Sequence, residues 1–221
     1  MFRKYEKTFR INRPGKLCLS PAEITRLFNG EVVVEEKVDG ANVGIIRHKK
    51  GFHLQKRGSL VGPSEHAQFQ YFHAWANRIK YDSIMNIPIR HVLYGELLYA
   101  VHTVYYDKLP DYFLLFDIWD DIKKRYLNRD EREEFVVKYN LNFYHVPLVT
   151  RGYYDAEDVE RMLPEKSAFG DRAEGIVVKR YTKGRQYHKA KIVWEQFHKD
   201  LEESDHWRNK EFKTNKLLTK G

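Results

Sequence analysis

Lys37, Asp39 and Asn42 stand close together in the stretch VVVEEKVDGANVGII, residues 32–46. The flanking runs are apolar and β-branched, so each reads as a buried strand. Between them the chain places a lysine, the carboxylates of Glu35, Glu36 and Asp39, and one amide. A lysine fixed at the end of a buried strand is partly desolvated, which disfavours its ammonium form, and the neutral amine is a nucleophile. Gly40 permits close backbone approach just beyond it. The plainer reading is a strand-end lysine that buries its stem and keeps its charged head in water. The motif alone leaves both open.

Further polar residues follow inside apolar surroundings. Lys56 and Arg57 lie in QKRGS, Glu96 in LYGELLY, Phe116 and Asp117 in LLFDIWD, Glu174 and Lys179 in AEGIVVKR, and Lys189 and Lys191 in KAKIV. Singly they are commonplace: a strand glutamate is more often edge-exposed, and a phenylalanine more often core. Together they supply what nucleotidyl transfer requires. There is an amine nucleophile, an aromatic face for a purine, carboxylates for a divalent metal, and cations to offset phosphate charge.

The elements that must position these groups are mixed. Residues 21–28, PAEITRLF, follow Ser20 as a cap and read as a short helix. Residues 32–36 and 43–48 read as strands, with Gly40 turning between them, and KKGFHLQKR adds a turn and a further strand. Phe69, Phe72, Trp75 and Ile79 recur at helical spacing, predicting an amphipathic helix over 65–78. HVLYGELLY and YFLLFDIWD are apolar runs of strand length. Residues 129–139 and 156–163 read as helices, and EGIVVKR and KAKIV as strands. This order favours an α+β fold over a doubly wound parallel sheet.

The 221 residues suit one large domain, or one domain with a small appendage. Lys and Arg number 39 against 31 Asp and Glu, a formal charge of +8, which solubilises the chain and attracts polyanions such as nucleic acid. Tyr, Phe and Trp make up 14% of the chain, enough to fill a core and still offer stacking surfaces. Cys18 is the only cysteine, which excludes an internal disulfide and a multi-cysteine metal site and suits a reducing cytoplasm. No apolar run approaches a membrane span, and the opening MFRKYEKTFR has no apolar core of a signal peptide. The histidines lack a spacing that argues for zinc. Asp120 and Asp121 are adjacent and read as a turn rather than an acid–base pair. Lys123, Lys124 and Arg125 read as a solvated basic turn, with contact to RNA phosphate as the alternative.

In this order EKVDGAN, YGEL, FDIW, EGIVVK and KAK resemble five motifs of the covalent nucleotidyltransferases, the superfamily of ATP-dependent ligases and mRNA capping enzymes. The likeness runs over residues 2–193. DNA ligases and capping enzymes typically carry arginine where this chain has Asn42. KVDGAN is more similar to ATP-dependent RNA ligases, especially the nick-sealing branch with a T-even phage enzyme and the trypanosome editing ligases. YGELLY and FRKYEKTFRI resemble that branch as well. The resemblance implies a ligase adenylation fold, with antiparallel sheets flanked by helices around a central nucleotide cleft. It implies ATP and Mg²⁺, with Mn²⁺ as a substitute. It also implies a lysyl–AMP intermediate at Lys37, transfer of AMP to a 5′-phosphate, and sealing by a 3′-hydroxyl.

The implied roles map onto named residues. Lys37, Glu174, Lys189 and Lys191 are catalytic, with both later lysines on the α-phosphate. Glu36, Asp39, Asn42, Glu96 and Phe116 bind ATP: the Glu36 backbone reads the adenine amino group, Asp39 faces ribose or metal, and Phe116 stacks on the base. Asn42, Glu96 and Glu174 form the metal shell, directly or through water. Arg57 senses the 5′-phosphate end, with Lys56 beside it on RNA. Of Glu35 and Glu36, one orients the adenine pocket and the other is a solvated face; the sequence does not say which.

The expected organisation is an adenylation domain over 1–194, then a short helix and basic tail over 195–221. About 30 residues after Lys191 are too few for the OB-fold or helical domain that such enzymes append, so the chain reads as a bare catalytic module or as a truncated one. A nicked or bridged RNA duplex, or a mixed RNA/DNA one, is then held by the basic surface or with a helper protein. Two rivals are weighed. A minimal DNA ligase core is disfavoured by Asn42. A non-catalytic nucleic-acid-binding module has no need of Lys37, Glu96, Glu174, Lys189 and Lys191 together.

Overall fold

The computed structural model describes residues 2–11, 17–62, 65–182, 187–197 and 212–219. In chain order its elements are β1 (Phe9–Arg10), α1 (Pro21–Phe28), β2 (Val32–Lys37), β3 (Ala41–His48), β4 (Gly51–Lys56), β5 (Ser59–Leu60), α2 (Ala67–Arg78), α3 (Tyr81–Asn86), β6 (His91–Leu97), β7 (Phe113–Asp120), β8 (Arg125–Tyr126), α4 (Arg129–Lys138), β9 (Tyr144–His145), β10 (Leu148–Gly152), α5 (Ala156–Arg161), β11 (Gly175–Tyr181) and β12 (Tyr187–Val193). The fold is α+β, and most strand pairs are antiparallel. The chain forms two compact units, one of Met1–Glu6, Gly40–Ala100 and Pro110–His145, the other of Lys7–Asp39, Val101–Leu109 and Val146–Gly221.

The second unit is built on a five-stranded sheet in the order β1-β12-β11-β2-β10. Side chains alternate across a strand, and here the alternation separates two chemistries. Val32, Val34, Ile176, Val178, Ala190 and Ile192 point one way and form a core with Leu27 of α1 and Val159 of α5. Val33, Glu35 and Lys37 of β2 point the other way. Register places Lys179 beside Val33, Val177 beside Glu35 and Gly175 beside Lys37. On the far side of β11, Lys189 lies beside Lys179 and Lys191 beside Val177. Glu35, Lys37, Lys179, Lys189 and Lys191 thus share one face of the sheet, while the other face is apolar at its centre and carries Glu36 and Arg180 toward its ends. A capping box of Ser20 and Glu23 starts α1.

The first unit carries the sheet β5-β4-β3-β6-β7-β8, with β9 joined to β7. Val43, Ile45, Leu54, Leu93, Leu97, Phe113, Leu115 and Ile118 meet Phe69, Phe72, Trp75 and Ala76 of α2, Ile84 of α3 and Phe135 of α4 in one core. The opposite face is crossed by the N-terminal residues. The Arg3 carbonyl accepts from Tyr94 Oη at 2.9 Å and Gln55 Nε2 at 2.8 Å, and the Arg3 guanidinium lies over the Trp119 ring.

β2 and β3 do not pair with each other; they belong to different sheets. Gly40 allows that departure, since a Cβ there would lie 2.5 Å from the Leu97 carbonyl oxygen. The expected helix and tail over 195–221 fall largely outside the described residues. The chain is helical at 195–197, and residues 212–219 run without helix. No helix among the described residues is long and apolar enough to cross a membrane.

Candidate active site

Lys37 ends β2, and its ammonium donates to Glu174 Oε2 at 2.6 Å. The two are brought together by the pairing of β2 with β11, which sets Lys37 beside Gly175. Gly175 has to be small: a Cβ there would sit 2.1 Å from the Ile192 carbonyl oxygen. Burial pushes the Glu174 carboxyl up to about 7, an effect that Asp39 reinforces and that Lys37 and Lys191 oppose. Lys191 therefore acts electrostatically on the same carboxylate, from the neighbouring strand β12. Lys189 is buried on the same face, with its ammonium over the Tyr187 ring. Lys37 and Lys191 thus both act on the Glu174 carboxylate, with Lys189 on the same sheet face. This arrangement can hold a polyanion, and Glu174 can take a proton from Lys37.

Glu35 and Glu36 are both buried, so the expectation that one is a solvated face is corrected. Alternation sends them to opposite faces. Glu35 pairs with Lys179 at 2.6 Å. Glu36 accepts from Ser167 Oγ and, at 3.0 Å, from the Ala168 amide. Burial raises the Glu36 carboxyl, and these two donors oppose the shift. Its own amide donates to the Pro147 carbonyl at 2.9 Å. Sequence alone misses these assignments because each partner lies more than 100 residues away.

Asp39 is buried and held by the loop 101–109. Its Oδ2 accepts from the amides of Thr103 at 2.7 Å and Val104 at 2.9 Å. Its own amide donates to Tyr106 Oη at 2.8 Å. Burial, and next the charge of Asp39, drive the Tyr106 phenol well above its ordinary range, so it stays neutral. Glu36, Lys37, Asp39, Glu174, Lys189 and Lys191 are thus gathered within one unit.

The chain matches the RNA ligase family over residues 30–193 of its 221. The chain belongs to the RNA ligase family. Its fold is similar to solved structures of Naegleria gruberi RNA ligase. One, with PPi, is 22% identical over 92% of this chain and 59% of that one, with a TM-score of 0.70. Another, a mutant with ATP and Mn, is 24% identical over 80% and 54%, with a TM-score of 0.65. A third, a mutant with AMP and Mn, is 22% identical over 80% and 54%, with a TM-score of 0.61. The chain spans between half and three-fifths of the length of these RNA ligases. No curated protein matches it.

The remaining expected residues of this RNA ligase family member lie in the other unit. Asn42 and Glu96 are direct cross-strand partners on β3 and β6. They share the sheet face opposite the core. Asn42 Oδ1 is buried without a hydrogen-bond partner among the described residues, an oxygen suited to a hard cation or its water. Phe116 sits where the register of β7 slips against β6: Tyr94 faces Asp117, Gly95 faces Leu115, and Phe116 is the extra residue. Such a bulge re-aims a side chain. Phe116 is accordingly half-buried while Leu115 and Asp117 are buried, and one side of its ring packs on Tyr5. No periodicity rule reveals a bulge in LLFDIWD.

Lys56 and Arg57 are not brought to that face. Register sets Lys56 beside Val43, on the core side, where its ammonium contacts Glu65 at 2.6 and 2.9 Å. Arg57 is exposed in the turn between β4 and β5. Asp120 accepts from the amides of Ile122 and Lys123 and closes a turn, while Lys124 and Arg125 pair with Asp121 and Glu131.

Among the described residues no three acidic, histidine or cysteine side chains cluster as a metal cage. The adjacent side-chain oxygens of Asn42 and Glu96 suit Mg²⁺ or Mn²⁺, which keeps much of its water and takes one or two protein oxygens beside substrate phosphates. Within this unit Asn42 and Glu96 are the side chains that could hold it.

Proposed function

We propose that this protein is an ATP-dependent RNA ligase that joins 3′-hydroxyl and 5′-phosphate ends through adenylylation of Lys37. The observation that carries the reading is the 2.6 Å contact between Lys37 and a Glu174 carboxyl whose proton affinity burial has raised. Proton transfer from the ammonium to Glu174 frees the amine lone pair. The amine attacks the α-phosphorus of ATP; the N–P bond forms, the bond to the β-phosphate oxygen breaks, and pyrophosphate leaves with that electron pair. Lys189 and Lys191 offset charge on the α-phosphate as it builds. A divalent cation, when bound, supplies further charge neutralisation there. AMP then passes to the 5′-phosphate, and the 3′-hydroxyl displaces it.

Phe116 stacks on adenine, and the Glu36 carbonyl receives the adenine amino group, its amide being engaged already. Asn42 and Glu96 serve the metal and ribose, and Arg57 senses the 5′-phosphate. Asp39 is a positioning residue for Lys37, since its carboxylate is taken up by loop amides. A nicked or bridged duplex, a reducing cytoplasm and a helper protein that grips the duplex complete the reading. The formal charge of +8 and the single cysteine support the nucleic acid and the compartment.

The test is incubation with ATP labelled at the α-phosphate and Mg²⁺, then a denaturing gel. Label is expected on the native protein and none on Lys37→Ala; an unlabelled native protein removes the proposal. Paired sealing assays with RNA or DNA on the 3′-hydroxyl side decide between this reading and a DNA ligase core.

A further inference from the structure

Residues 212–219 are placed by backbone hydrogen bonds to the loop 101–109. The Val101 amide donates to the Lys213 carbonyl at 2.8 Å, Lys216 to Tyr106 at 2.9 Å, Leu109 to Lys216 at 3.1 Å, and Leu218 to Leu109 at 2.8 Å. A parallel bridge joins Leu109 to Leu217. At the centre, the Tyr106 amide donates to Asn215 Oδ1 at 2.8 Å, and Asn215 is 1% exposed. The loop has no helix or strand of its own; its other backbone anchors include the Phe169 carbonyl, which accepts from Asp107 and Lys108.

This loop is what fixes Asp39, through the Thr103 and Val104 amides and Tyr106 Oη. Asp39 follows the nucleophile by two residues. A continuous path of hydrogen bonds thus runs from Asn215 through Tyr106 to Asp39, ending beside Lys37. The loop's other anchor, Phe169, is one residue from Ala168, whose amide holds Glu36.

We infer that residues 212–219 are a strap that sets the nucleophile's geometry, with Asn215 and Tyr106 as positioning residues for transfer of the adenylyl group to Lys37. The inference rests on the proposed adenylylation of Lys37. Its physical basis is that a buried N–H deprived of its acceptor is costly, so the loop shifts to satisfy it. A displacement on the order of 1 Å at a reacting group is enough to slow chemistry about 100-fold.

The experiment follows lysyl–AMP formation in time, at saturating labelled ATP, for the native protein, Asn215→Ala, Tyr106→Phe and the double variant. Rate and final amount of label are read separately, and the ATP concentration giving half the maximal rate is measured. The expected result is a rate about 10-fold lower in each single variant. Final labelling should be retained, and the half-saturating ATP should stay within about two-fold. The double variant should be no slower than the slower single one, because both cut the same path. Unchanged rates overturn the inference. So does lost final label at an unchanged rate, which marks a purely structural role, and so do rate losses that multiply in the double variant. If Asn215→Ala gives no folded protein, Tyr106→Phe, which removes one oxygen, decides by the same rate criterion. Absence of label on the native protein would instead remove the adenylylation reading itself.

Discussion

Replacing Lys179 with methionine should destabilise the sheet that carries Lys37 far more than a surface lysine would. The Lys179 and Glu35 side chains are 2% and 1% exposed, and their charged atoms are 2.6 Å apart. Lys179→Met takes the ammonium partner from the buried Glu35 carboxylate, a change that costs about 3–5 kcal/mol. For a chain of this size each kcal/mol moves Tm by about 2–4 °C, so the expected drop is roughly 6–20 °C. Removing both charges together, in Glu35→Leu with Lys179→Met, takes away the desolvation cost as well as the attraction. That double variant should lie within about 1 kcal/mol of the native protein or above it. The assay is urea unfolding followed by tryptophan fluorescence, for all four members of the cycle, with Tm measured alongside. A Lys179→Met loss below about 1 kcal/mol is what a solvated pair would give, and it would refute the argument. Glu35 also shares its sheet face with Lys37, so the single variant should take up less AMP than the double one.

Three further outcomes follow from the site. Phe116→Ala removes the half-buried ring of the β7 bulge, and loss of one base stack, about 1–3 kcal/mol, should raise the ATP requirement roughly 5–150-fold; an unchanged requirement returns Phe116 to the core. Arg57→Ala should still accept AMP on Lys37 but transfer it poorly to a 5′-phosphate, and normal transfer removes that assignment. Stability should also depend on Glu174. Its carboxyl is raised from 4.5 to about 7, chiefly by burial, so the folded state holds the proton more tightly than the unfolded one. The resulting stabilisation is complete below about 4.5 and is lost as pH rises through about 7. Against Glu174→Gln, which does not titrate, the native protein should lose relative urea stability across that window; a flat difference would contradict the assigned shift.

Much of this fold is written in local pattern. β2, β6, β7, β11 and β12 coincide with apolar runs, and α2 with the spacing of Phe69, Phe72 and Trp75. α3, β9 and β10 escape pattern reading because they are short or carry no clean period. The candidate residues Lys37, Glu174, Lys189 and Lys191 are picked out by five motifs in order, and pairing of β2, β11 and β12 sets the three lysines on one face, with Glu174 against Lys37. What sequence could not supply is partnership across distance. Glu35 with Lys179 and Glu36 with Ser167 depend on which strands and loops become neighbours. The segment KEFKTNKLLTKG reads by composition as a basic tail, yet residues 212–219 pair backbone to backbone with 101–109. Side-chain types carry no signal of such bonds, which every residue but proline can make.

The most direct measurement is the mass of the protein after exposure to ATP and Mg²⁺, followed by peptide mapping. The account predicts a gain of one adenylyl group, located on Lys37 and absent from Lys37→Ala. A protein whose mass stays unchanged, or whose adduct maps to another residue, would contradict it.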